Sequence, residues 1–164
     1  MKRAPIKNDV SVEYLRKIFD YDPLTGVLFH KKRHAVLEGS RAGFVMNHGY
    51  VGVKIHQRLF LAHRVIWAWV TGVWPELDVD HENLVRTDNR WSNLRVTTRS
   101  SNVANSRARS NHLKGAYRQR NGKWQSQIQE NGRYKYLGTF LTELEANLAY
   151  AAAAKLIHGE FARA

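Results

Sequence analysis

Val79-Asp-His-Glu-Asn-Leu-Val-Arg-Thr-Asp-Asn-Arg-Trp-Ser-Asn-Leu-Arg-Val-Thr-Thr-Arg-Ser-Ser-Asn102 is the stretch on which the reading of this chain turns. Two short strand-like runs, Leu77 to Asp80 and Leu94 to Thr97, flank a polar loop from His81 to Asn93. A helix is expected to start near Ser100 or Ser101. Asp80 and His81 end the first strand, where neighbouring side chains point to opposite faces. The Asp80 carboxylate is a hard ligand for Mg²⁺ or Mn²⁺, and the His81 imidazole can take a proton from water. Asn102, on the helix, would supply a second hard oxygen across a phosphate-sized gap. Asn93, between loop and strand, is suited to pinning the loop and orienting His81.

Upstream, Ser11 to Phe19 places Val12, Leu15, Ile18 and Phe19 on one helical face, with Ser11 as N-cap. Tyr21-Asp-Pro-Leu-Thr-Gly26 is turn chemistry, and Val27 to His30 is a short strand. Residues 31–43 read as a basic loop. Gly49 to Ile55 and Arg58 to Ala62 form a hairpin about His56-Gln57. His63 to Val70 is an apolar helix, ended by Thr71-Gly-Val-Trp-Pro75.

Downstream, Ser106 to Leu113 is a basic connection without periodicity, and the main domain boundary is expected there. Three strand-like runs follow, Ala116 to Arg120, Lys123 to Gln129 and Arg133 to Leu137. Asn121-Gly122 and Asn131-Gly132 separate them, as hairpin turns with positive φ require. An alanine-rich helix runs from Thr142 to His158 and stops at Gly159. Strand parity puts Trp124, Ser126 and Ile128 on one face, expected to pack on Leu144, Leu148, Ala151 and Ala152. Lys123, Gln125, Gln127 and Gln129 share the other face with Tyr117, Gln119, Tyr134 and Tyr136. Those side chains can reach base edges and phosphates.

Composition narrows the partner. The 164 residues carry a formal charge of +12 at pH 7, which favours a polyanion. The basic residues are interleaved with aromatics and Gln in strands, not concentrated on an amphipathic helix, so nucleic acid is favoured over a membrane surface. The absence of cysteine excludes disulfides, Cys-ligated zinc and thiol chemistry. No signal-like apolar start is present, and a cytoplasmic protein is expected, in the host cell if phage-encoded. Without heptads, a monomer with no protein partner is expected. Trp67, Trp69, Trp74 and Trp91 read as packing residues, and His63 as structural. His30, His34, His48 and His56 read as exposed, and a charged His158 would suit its helix end.

The stretch from Val79 to Asn102 resembles the HNH nuclease motif of phage and intron homing endonucleases, in the subgroup with Asn in place of the final His. The likeness extends to Ala62-His-Arg-Val-Ile-Trp-Ala-Trp69 and to Tyr21-Asp-Pro-Leu-Thr-Gly26. It implies a ββα-metal fold with His81 as general base, Asn93 as the central Asn, and Asp80 and Asn102 as ligands of Mg²⁺ or Mn²⁺. Leu84 departs from the family, which usually has Gly there. Lys114 to Ile128, Leu137-Gly-Thr-Phe140 and Glu145 to Tyr150 resemble an AP2-type DNA-binding domain, whose sheet lies in the major groove.

The expected fold is α+β. An N-terminal α/β segment (1–76) precedes the nuclease motif (77–106), a basic linker (107–113), and a three-stranded antiparallel sheet on one helix (114–164). The expected function is a metal-dependent homing endonuclease acting on double-stranded DNA. Arg86, Arg90, Arg107 and Arg109 join the sheet residues as DNA contacts. The rival reading is a non-catalytic DNA-binding regulator.

Overall fold

The computed structural model describes residues 10–32, 36–105, 112–130, 132–159 and 162. The fold is α+β, built from small antiparallel sheets and helices, and the chain divides into two compact units, Met1–Val96 and Thr97–Ala164.

The first unit opens with α1 (Val12–Ile18), capped by Ser11, whose Oγ accepts from the Tyr14 N–H at 3.2 Å. Phe19 leaves the helix into β1 (Phe19–Asp22), because Phe19 and Tyr21 alternate into the core while Asp20 stays outside. β1 pairs antiparallel with β2 (Val27–His30) across the expected turn. Next, β3 (Phe44–Val45), β4 (Val51–Ile55) and β5 (Arg58–Leu61) form a second sheet. His56 and Gln57, at φ 49° and 62°, make the β4–β5 turn in the left-handed conformation that matches hairpin twist. α2 (Ala62–Thr71) follows directly and ends at Gly72, φ 82°. Leu15, Phe19, Val53, Val65 and Ile66, all buried, centre the core. The tryptophans pack at its margin as expected, with indole N–H bonds from Trp69 to Phe19 O and from Trp74 to Val10 O. β6 (Asp78–His81) and β7 (Leu94–Thr97) pair as the last sheet, with a single 3-10 turn at Trp91–Asn93 between them.

The second unit begins with α3 (Arg99–Asn105), completing the strand–strand–helix order. α3 packs on the C-terminal helix within this unit. β8 (Ala116–Arg118), β9 (Trp124–Glu130) and β10 (Arg133–Phe140) form a three-stranded antiparallel sheet with β9 central. α4 (Glu143–His158) packs on it, opened by a Thr142/Glu145 capping box.

The face that α4 buries differs from expectation. Ala146, Tyr150, Ala154 and His158 are its buried residues, while Leu144, Leu148 and Ala152 are exposed. Alanines let the helix approach the strands closely, and one Tyr beside Ile128 then fills the remaining space. His158 is also corrected: it is buried, and burial pushes its pKa down instead of leaving an exposed imidazolium. No helix among the described residues is long and apolar enough to cross a membrane.

Candidate active site and nucleic-acid interface

β6 brings Asp80 and His81 together at its end, both buried. The His81 Nε2 lies 2.8 Å from Asn89 Oδ1. A carbonyl oxygen only accepts, so Nε2 carries the proton and Nδ1 is the basic nitrogen. Burial is the main cause that lowers the His81 pKa, partly offset by the Asn89 bond and by the charges of Asp80 and Asp88. The imidazole is therefore neutral near pH 7, the form a general base needs.

The loop that carries Asn89 is tied at both ends. Asn93 Oδ1 accepts from Asn83 N–H at 3.0 Å, and Asn93 Nδ2 donates to Asp88 O at 2.7 Å. Tyr21 donates its hydroxyl hydrogen to Asn89 O at 2.8 Å, and Trp91 N–H donates to Pro23 O. Gly26, at φ 73°, lies so close to Asn89 and Arg90 that a Cβ there would strike their backbone. The turn from Tyr21 to Gly26 is thus the loop's clamp. Leu84 stands at φ 63°, a conformation that costs a non-glycine residue roughly 1–2 kcal/mol. That accounts for glycine being the easier choice at this loop position.

Around His81 the rings crowd. His63 meets it edge-on with centroids 4.9 Å apart, and Tyr50 lies 5.9 Å away. His63 is buried, and desolvation holds its pKa down at about 3, so it stands neutral beside His81.

The Asp80 carboxylate lies 3.5 Å from the Arg95 guanidinium on the neighbouring strand. Among the described residues no group of three or more His, Cys, Asp or Glu side chains gathers as a metal cage. The hard Asp80 carboxylate suits Mg²⁺ or Mn²⁺, which keep waters and take phosphate oxygens from the substrate to complete their coordination. A soft or fully protein-bound ion would not fit that donor set.

Residues 60–104 match the family model for an HNH endonuclease. The matched segment takes in α2, β6, the clamped loop, β7 and most of α3. No curated protein and no solved structure gives a match.

Asn102 lies on α3, half-buried, with its N–H donating to Thr98 O. Arg86 donates to His48 O and lies over the Tyr50 ring, 4.9 Å from its centroid. Arg90 forks onto Asp88 at 2.6 and 2.8 Å, which holds the Asp88 pKa at about 2. Arg107, Arg109 and His34 lie outside the described residues. Sequence reasoning misses Asn89. The only available signal is its place among loop amides, and parity does not extend into a loop.

In the second unit the outer sheet face is as expected. Tyr117 pairs with Gln125, Tyr136 with Gln127 and Tyr134 with Gln129. Gln119 Nε2 donates to Gln125 Oε1 at 2.9 Å, and Gln125 Nε2 to Gln127 Oε1 at 3.4 Å. The three tyrosines are exposed, and Lys123 stands exposed just before β9. A register shift at Tyr136 to Gly138 bends β10 beside this row.

Proposed function

We propose that the chain is a metal-dependent homing-type endonuclease that cuts a specific double-stranded DNA target. The observation that carries the reading is His81, buried, neutral and held through Nε2 by Asn89, beside Asp80 in the HNH segment. His81 Nδ1 takes a proton from water, and the resulting hydroxide attacks phosphorus in line with the departing 3′ oxygen. The P–O3′ bond breaks and the departing oxygen takes up a proton from solvent as His81 releases its own, leaving 5′-phosphate and 3′-hydroxyl ends. Asp80 and Asn102 are the oxygen donors for Mg²⁺ or Mn²⁺, which when bound supplies charge stabilisation at the phosphate and leaving oxygen. Asn89, Asn93 and the turn from Tyr21 to Gly26 keep the base aimed.

The outer face of the second unit supplies recognition. Gln119, Gln125, Gln127 and Gln129 present amides that pair with base edges, adenine above all. Tyr117, Tyr134, Tyr136 and Lys123 flank them, and Arg86, Arg90, Arg107 and Arg109 contact phosphates.

Plasmid nicking in Mg²⁺ tests the reading. His81→Ala should cleave about 10²–10⁴-fold more slowly than wild type while binding DNA with nearly unchanged affinity. Chelator should stop the wild type. Equal cleavage by the variant removes His81 from the chemistry, and cleavage in chelator removes the metal.

A further inference from the structure

Two guanidinium groups stand around a site that needs a cation. Arg95, on β7, holds its Nη2 3.5 Å from Asp80 Oδ2, and the two side chains are only 15% and 9% exposed. Arg86 lies over Tyr50, whose ring is itself beside His81. Asp88, in the loop, is forked onto Arg90. No acidic cage gathers among the described residues to offset these charges.

Solvent screens a pair buried to this degree poorly, so charge has to balance locally. Asp80 and Arg95 cancel each other. A divalent ion joining Asp80 leaves two uncompensated positive charges, and a phosphodiester removes one of them. The contact is also longer than the roughly 2.7–2.9 Å of a charge-assisted hydrogen bond, so Arg95 offsets the charge of Asp80 without fixing its carboxylate.

We propose that Arg95 makes metal binding conditional on DNA: it neutralises Asp80 in the free protein, opposing a divalent ion, and shares its charge with the target phosphate once a duplex is seated. The inference rests on Asp80 being the metal ligand of the proposed function. A guanidinium carries several N–H donors in a fixed fork, so one group can meet a carboxylate and a phosphate together. Coupling of this kind is reciprocal: the duplex tightens the metal by the factor with which the metal tightens the duplex. An orienting role for Arg95 has the opposite sign, since losing a residue that aims a ligand weakens metal binding about 10–100-fold.

Free Mn²⁺ measured by electron paramagnetic resonance gives the dissociation constant without any turnover. His81→Ala serves as the common background, so that a mixed-sequence duplex, its own Mn²⁺ uptake subtracted, stays intact. In that background the duplex should tighten Mn²⁺ about 10-fold. Adding Arg95→Gln should tighten Mn²⁺ on the order of 10-fold without DNA and leave the duplex little more to add. Arg95→Lys keeps the charge and should bind as the background does. An Arg95→Gln protein that binds Mn²⁺ no better, or worse, overturns the proposal, and so does a duplex effect equal in both proteins. Should Arg95→Gln fail to fold by circular dichroism, a background protein whose Mn²⁺ affinity the duplex leaves unchanged overturns it unaided. Asp80→Asn separates this inference from the reading beneath it. Mn²⁺ binding that survives Asp80→Asn removes Asp80 as ligand and takes both down. Binding lost in Asp80→Asn but not raised in Arg95→Gln keeps the ligand and rejects the role of Arg95.

Discussion

In the proposed mechanism His81 serves as a base only while its Nε2 proton rests on Asn89, because without that acceptor the ring can turn and exchange tautomers. Asn89→Ala should lower kcat about 10–100-fold, the usual cost of losing an orienting partner, with DNA affinity little changed. Asn89→Asp keeps an oxygen acceptor at the same place and should recover most of the loss; single-turnover nicking rates check both. His63 gives a pH signature of stability. Its folded pKa, about 3, lies below the ordinary 6.5, so the unfolded chain takes up a proton first as the pH falls. The stability contribution is fully present above 6.5 and is lost on acidification through the interval down to about 3. The slope is about 1.4 kcal/mol per pH unit for one proton. Urea denaturation from pH 7 to 5 should show a loss of about 2 kcal/mol from this residue, absent in His63→Gln. Asp80 and His81 are legible in the sequence because strand parity and ligand chemistry both bear on that dipeptide. Asn89 is not, since its contact depends on how the loop closes under Tyr21 and Gly26.

At the scale of elements, periodicity and turn chemistry locate most strands and helices to within a few residues. The β4–β5 hairpin, β7 and α4 form where the sequence pattern puts them. β1 escapes the pattern because it is four residues long and follows α1 without a break. The buried face of α4 defeats a reading by hydrophobicity because leucine is more hydrophobic than alanine, yet close packing on the sheet selects for small size. Strand parity in β9 has no such competitor, and Ser126 and Ile128 are buried while the glutamines line the outer side. Gln125→Ala with Gln127→Ala removes amides from that row and no buried contact. Base-edge bonds carry discrimination and phosphate contacts carry position, so the double variant should relax sequence preference more than total affinity. Selection from a randomised duplex pool measures this. A variant that selects the wild-type sequence with unchanged stringency would move specificity away from β9.

Across the whole molecule, charge is the influence on DNA affinity that a salt titration reads directly. A formal +12 over 164 residues is plain from composition, but its allocation between cutting and reading requires the fold. Five cations of the second unit, Arg118, Arg120, Lys123, Arg133 and Lys135, are exposed on or beside the sheet. Each one that neutralises a phosphate releases condensed counterion, and the slope of log K against log salt changes by about 0.9 per contact. Changing Arg118, Lys123 and Arg133 together to Gln should make that slope shallower by roughly 2–3, with affinity at low salt falling for every sequence alike. His81→Ala keeps all five cations, so its slope should equal that of the wild type while cleavage is lost. The glutamine pair should also keep the wild-type slope, because an amide releases no ion. Filter binding of the three variants between about 50 and 200 mM salt therefore resolves position, discrimination and chemistry as separate losses. An unchanged slope in the triple cation variant would show that the charge engaging DNA lies outside this sheet.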